Sequence, residues 1–337
     1  MFPGVSTSKM EYWRDDDPSM LIPAEELERQ GILPLGICGG WADEHATATS
    51  EGKSGSCATL VAKRLGVHDN PAIKPLLRYV ENNDKKGGRR PLDLADAMNA
   101  LNAQFPDNPE KVMEWAMMAI EAKYQQQLDF LIASKAEFER AAQVEDVDIE
   151  GPDCAMVVRM ATIVSDDEQV AKFARSENGC GAAVVIQKQQ SSGNVQIFLD
   201  GQMGLNLDDI ACIIRSEEKK LNGLSSTTEW ELLRGEGTIE GASCWHYLKK
   251  DSGRGRPKIG VALLNGSLGH PGVPPTKIPL ERIQEIVRIG LNPGAFEPGR
   301  AAECAKGNCT STANNSCLWY NWGLLRCRGI RFRMRQR

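Results

Sequence analysis

The sequence predicts an α/β protein of two lobes, a partial parallel-sheet domain joined by a long helix to a smaller α+β domain. Three observations predict it. Short apolar runs closed by glycine precede amphipathic stretches in the first third of the chain. A long segment from 108 to about 143 keeps an apolar stripe at helical spacing. After 155 the pattern turns to strand, helix, hairpin, helix, strand and helix, as an α+β domain would have it.

The elements follow in order. The first 30 residues are polar and acidic, with DDD at 15–17, and only PAEELERQG suits a short helix. GILPLGICGG, 31–40, is an apolar run ending in two glycines, which predicts a buried strand and a tight turn. SGSCATLVAKRLGV, 54–67, has a serine start, Leu60, Val61 and Leu65 at helical spacing and a closing glycine, and predicts a capped helix. A second helix is expected over 71–82, running into a polar turn, NDKKGG, that holds Asp84. The long helix carries Val112, Trp115, Tyr124, Leu128, Leu131 and Phe138 on one stripe. Beyond EDVDIEGPD, AMVVRMATIV reads as a strand, DDEQVAKFARS as a helix and GAAVVIQK with NVQIFLD as a hairpin. LDDIACIIRSEEKKL, KIGVALLN and PLERIQEIVRIGL complete the set as helix, strand and helix. The expected division is a sheet domain over 1–107, a connecting helix over 108–148, a second domain over 149–294 and a Cys/Arg-rich tail over 295–337.

Composition narrows the class. Across 337 residues, 41% are hydrophobic and 25% charged, the balance of a globular protein large enough for two cores. No stretch approaches the roughly 20 apolar residues of a membrane helix, and MFPGVSTSKM has no apolar signal core, so a cytoplasmic location without a membrane partner is expected. The ten cysteines are spread through the chain and read as small buried hydrophobes rather than a disulfide framework. The net charge of −5 conceals a tail whose last twelve residues, RCRGIRFRMRQR, hold six arginines and no acid.

The loop GGWADEH offers the first candidate chemistry. Asp43 and His45, with Glu44 between them, give a divalent cation hard oxygen and imidazole, a mixture suited to Mn²⁺, Zn²⁺ or Fe²⁺. The same residues suit a plain turn capped by Asp43 with His45 on the surface, and spacing alone favours that reading. Asp84 stands before a Lys-Lys-Gly-Gly stretch and fits either turn chemistry or a second carboxylate for the same ion. GKSG, 52–55, lacks the upstream glycine of a phosphate loop, though the helix after it offers free N–H groups to an anion. KKDSGRGRPK brings Arg254, Arg256 and Lys258 into one basic loop that suits phosphate oxygens or simple solvation, and LNGSLGHPG sets Gly269 and His270 in a glycine-rich turn. In the tail, Cys304, Cys309, Cys317 and Cys327 do not form the paired knuckles of a zinc ribbon. Its arginines suit a polyanion.

Taken in order, GICGG, WADEH, GSCATLVAKRLGV, NNDKKGG and the long segment from PDNPEKV to FERAA resemble the melanocyte-proliferating-gene branch of the DHH phosphoesterases. VVIQKQQSSGNVQIF and LLNGSLGHPGVPPTKIPLERIQEIV are similar to that family's second lobe, so the resemblance spans about residues 32–292. It implies a two-lobed fold and a metal-dependent, exonuclease-like hydrolase of nucleic-acid or nucleotide phosphodiesters. It also implies Mn or Mg held by Asp43, Glu44, His45 and Asp84, with Asp43, His45 and Asp84 catalytic. Arg254, Arg256, Lys258, Gly269 and His270 would grip the substrate. The chain departs from the family at three places: residues 1–30 hold no first motif, Ile37 stands where the strand's aspartate belongs, and Glu44 replaces the middle histidine. Two ions about 4 Å apart need a fuller ligand set. The alternative expectation is therefore a catalytically degenerate homologue, a binding or regulatory module; an incomplete gene product lacking its first strand would explain the missing motif.

Overall fold

The computed structural model describes residues 9–13, 16–45, 55–86, 90–150, 155–200, 205–224, 230–251, 258–266, 272–292, 298–308 and 327. The chain forms two compact units, 1–131 and 132–337.

Among its described residues the first unit is helical. A 3-10 turn at Pro18–Leu21 leads to α1 (Ala24–Arg29), α2 (Cys57–Arg64), α3 (Lys74–Lys86), α4 (Leu94–Gln104) and the start of α5 (Pro109–Ala141). Both expected helices are present. Ser56 caps α2 by accepting the Thr59 N–H, as the serine start implied. The helices are tied by side chains: Thr59 Oγ1 donates to Glu81 Oε1 at 2.8 Å, and the Ala95 N–H donates to Tyr79 Oη at 3.0 Å.

The expected strand over 31–40 is not formed, and no strand occurs among the described residues of this unit. Gly31, Gly36, Cys38 and Gly39 all have positive φ, so four residues in nine turn the backbone out of the extended region. Leu33 and Leu35 are exposed rather than buried, and the Gly36 N–H donates to Ala42 O across a tight loop. The parallel-sheet first domain expected from the sequence is thus replaced, over the described residues, by helices and a looped segment. Asp84 also moves: α3 runs on through Lys86, which puts Asp84 inside a helix rather than in a turn.

The long helix is present as α5. From Ala142, however, the stretch expected to stay helical to 148 is strand β1 (Ala142–Glu150). Val144 alternates with acids, and Val147 and Ile149 share one face, so the period has already become two.

The second unit is built on a six-stranded mixed sheet of order β1-β2-β3-β4-β6-β5. Its other strands are β2 (Ala155–Val164), β3 (Val184–Lys188), β4 (Val195–Leu199), β5 (Trp245–Lys250) and β6 (Ile259–Asn265). β2 and β3 pair in parallel across helix α6 (Val170–Arg175), and every other neighbour is antiparallel. The β3–β4 hairpin is the expected one. Helices α7 (Asp208–Leu221), α8 (Trp230–Leu233), α9 (Leu280–Leu291) and α10 (Pro298–Ala305) complete the unit.

The sheet packs helices on both faces. On one, Ile210, Ile213 and Ile214 of α7 and Ile283, Ile286 and Val287 of α9 close over Val158, Met160, Ile186, Ile197 and Leu263. Each such side chain removed from water stabilises by roughly 1.5–3 kcal/mol. On the other, α6 covers Ala161, Ile163 and Val185, and Phe138 meets Phe173 with ring centroids 5.7 Å apart. Gly260 is required by a close approach: a Cβ there would lie 1.7 Å from the Tyr247 hydroxyl. Two buried polar side chains tie the loops to this core. Arg215 lies wholly inside and donates to the carbonyls of Leu233, Gly235, Gly237 and Trp245. Asn265 is equally buried and bonds Cys244, Pro274, Val195 and Thr276.

Candidate functional site

The candidate loop runs from Gly36 to His45 and is organised by Asp43. The residue is 6% exposed. Oδ2 accepts the Gly39 N–H and Oδ1 accepts the His45 N–H, each at 2.8 Å. This is the geometry by which an aspartate replaces a missing backbone partner in a turn. His45 follows with 82% of its side chain exposed, its Nε2 3.6 Å from Glu44 Oε1. Trp41 packs under Arg64, whose guanidinium carbon lies 4.7 Å from the ring centroid.

Three of the four expected ligands do share a neighbourhood. Its centre is Cys57, the first residue of α2. Burial raises the Cys57 thiol, and Glu44, Asp43 and Asp84 raise it further, to about 11. The loop, α2 and α3 thus bring the 43–44 pair and Asp84 within electrostatic reach of one sulfur. Among the described residues, Glu44 Oε2 is buried and has no hydrogen-bond partner. Of the expected set, Asp43 is buried and Glu44 half-buried, whereas both His45, its only imidazole, and Asp84 are exposed.

As placed, the expected ligands are not gathered around one point. Among the described residues, no three His, Cys, Asp or Glu side chains group so as to hold a metal ion. Each Asp43 oxygen accepts one backbone N–H, and a thiol held near 11 stays protonated at neutral pH and so is a poor ligand and a poor nucleophile.

Of the expected substrate contacts, Arg254, Arg256, Gly269 and His270 lie outside the described residues. Lys258 is described, and its ammonium pairs with Glu236 at 2.9 Å on the surface. The pairing raises the Lys258 pKa and lowers that of Glu236, so the cation already has a counter-charge.

Two clusters were not expected from the sequence. Asp208 Oδ1 accepts from Tyr247 Oη at 2.9 Å and from Lys249 Nζ at 2.8 Å. Asp209 pairs with Arg234 at 2.8 Å, with both side chains under a tenth exposed. No strand was expected over β5, which carries Tyr247 and Lys249. Cys57 was visible as a helix start but not as the point on which distant carboxylates converge.

Compared with known proteins, the chain matches no family model, no curated protein and no solved structure. No described helix is long and apolar enough to cross a membrane.

Proposed function

We propose that the chain is a catalytically degenerate relative of the DHH phosphoesterases, a cytoplasmic binding or regulatory module for nucleic acid or a nucleotide. One observation carries the loss of hydrolysis: Asp43, the first retained motif residue, has both carboxylate oxygens engaged by the backbone of its own loop, while His45 is largely in solvent. A carboxylate held that way serves the loop first. The nucleic-acid partner rests on the resemblance and on the arginines and lysines of 249–258 and the tail.

A second reading has its own support. Asp43, Glu44 and Asp84 all bear on Cys57, and the orphaned Glu44 Oε2 is the kind of atom a cation satisfies. On that reading the protein is a Mn- or Mg-dependent phosphodiesterase.

Both readings are tested on the intact chain with a fluorescent oligonucleotide. The binding reading expects a rise in anisotropy that falls steeply with salt, survives Asp84→Ala, and is accompanied by no product with Mn²⁺ or Mg²⁺. Metal-dependent cleavage lost in Asp84→Ala would establish the hydrolase instead, and neither binding nor cleavage would remove both.

A further inference from the structure

We propose that Asn178, in the turn between α6 and β3, is a site of spontaneous deamidation. The sequence holds Asn-Gly three times, at 178–179, 222–223 and 265–266. Glycine has no Cβ, so its nitrogen stays open to attack on the carboxamide before it. In the reaction the Gly179 nitrogen bonds to Asn178 Cγ, and its proton leaves with the carboxamide nitrogen as ammonia. Water then opens the five-membered ring. Entry at Cγ restores the ordinary peptide bond and leaves aspartate, whereas entry at the main-chain carbonyl carbon leaves isoaspartate, with one more atom in the backbone.

The fold treats the three pairs differently. Asn265 is wholly buried: its Oδ1 accepts the N–H groups of Val195 and Thr276, and its Nδ2 donates to the carbonyls of Cys244 and Pro274. Four bonds must break before that carboxamide can swing. Asn222 is exposed but closes α7. Its N–H donates to Glu218 O and its Nδ2 to Gly241 O, each at 3.0 Å, and the Gly223 N–H donates to Lys220 O at 2.9 Å. Reaction there requires the last turn of a fourteen-residue helix to come apart.

Asn178 has neither restraint. It is exposed, and among the described residues its carboxamide makes no hydrogen bond. Its turn is held by the Gly179 N–H donating to Ser176 O at 3.1 Å and the Asn178 N–H donating to Ser176 Oγ at 3.3 Å. The first of these bonds must open to release the attacking nitrogen. No residue from Ser176 to Cys180 is buried, so this opening uncovers no core and falls at the low end of local stability. The backbone also keeps glycine in the reacting position: a Cβ at 179 would lie 2.2 Å from the Phe173 carbonyl oxygen.

Peptide mapping by mass spectrometry of the full chain, held at about pH 8, tests the assignment with the other two pairs as internal controls. In the folded chain Asn178 is expected to deamidate at least ~10-fold faster than Asn222 and Asn265, a ratio set by the difference in local opening. In the same chain unfolded in guanidinium chloride the three sites should react at similar rates, because each is followed by glycine. Asn178→Gln should remove the folded-state product and leave the other two sites unchanged. Asn222 or Asn265 reacting as fast as Asn178 in the folded chain overturns the proposal, as does an Asn178 that stays intact while the unfolded chain reacts. A lead for Asn178 that persists in the unfolded chain would place its cause in the neighbouring sequence and overturn the structural assignment.

Discussion

The backbone N–H of His45 donates to Oδ1 of Asp43 at 2.8 Å. The two residues expected to meet across a metal ion are instead joined through the main chain of one turn. With Oδ2 taken by Gly39, the carboxylate closes a loop whose glycines cannot hold themselves in place. This explains why an acidic residue is buried where a core side chain would be ordinary.

Asp43→Ala should therefore destabilise the first unit by about 2–4 kcal/mol, since two hydrogen bonds to a charged acceptor are lost and two N–H groups are orphaned. Urea unfolding of the two single variants beside the parent chain is the direct measurement. His45→Ala should change stability by less than about 0.5 kcal/mol, as expected of an exposed side chain. Equal effects from the two substitutions would contradict the assigned roles.

Cys57 supplies a pH-dependent prediction. Its ordinary pKa is 9.0, and burial followed by Glu44, Asp43 and Asp84 raises it to about 11 in the folded chain. The unfolded chain thus releases this proton first as pH rises. The contribution is fully present below about 9 and is lost between about 9 and 11. Alkylation of Cys57 at pH 8 should be slow, and Glu44→Gln should speed it by removing a nearby negative charge. Mass spectrometry resolves this thiol from the others; no acceleration would mean that Glu44 does not act on it.

The expectations fared differently in the two units for a physical reason. Most strands and helices of the second unit announce themselves because their apolar residues are buried: Val158, Met160, Ile186, Ile197, Ile213 and Ile286 all lie in the core, so period and environment agree. GILPLGICGG has the same apolar content, but positive φ at Gly36, Cys38 and Gly39 overrides it, and neither Leu33 nor Leu35 gains burial. The onset of β1 was hidden because a helical stripe runs straight into it without a glycine or proline to mark the change. For the candidate loop, the residue types were legible and their use was not. Asp43 reads equally well as a ligand or a turn closure until the positions of Gly39 and His45 are known.

Breaking the Asp209–Arg234 pair should be costly. Both side chains are under a tenth exposed, so removing one leaves a charge in a poorly solvated site. Asp209→Leu is expected to cost on the order of 3–5 kcal/mol, while Asp209→Leu combined with Arg234→Met should recover much of it. If the double variant is no better than the single one, the loss comes from packing and not from the stranded guanidinium.

Gly260 gives a sharper test of the second unit, because the clash it avoids has one identifiable partner. A Cβ at 260 would lie 1.7 Å from Tyr247 Oη and 2.4 Å from Cζ, so the ring itself must move. Tyr247 has little freedom to do so: its hydroxyl donates to Asp208, and Arg215 and Lys249 stand over its ring at 5.6 and 5.1 Å. Gly260→Ala should therefore destabilise by more than the ~1–3 kcal/mol of ordinary overpacking. Tyr247→Phe on its own removes the bond to Asp208 but leaves Cζ in the way, so it should not rescue Gly260→Ala. Tyr247→Leu, which removes the ring, should rescue it partially. Urea midpoints of the four variants separate the two causes, since rescue by phenylalanine would mean that the hydroxyl alone, and not the ring position fixed by its neighbours, sets the requirement for glycine.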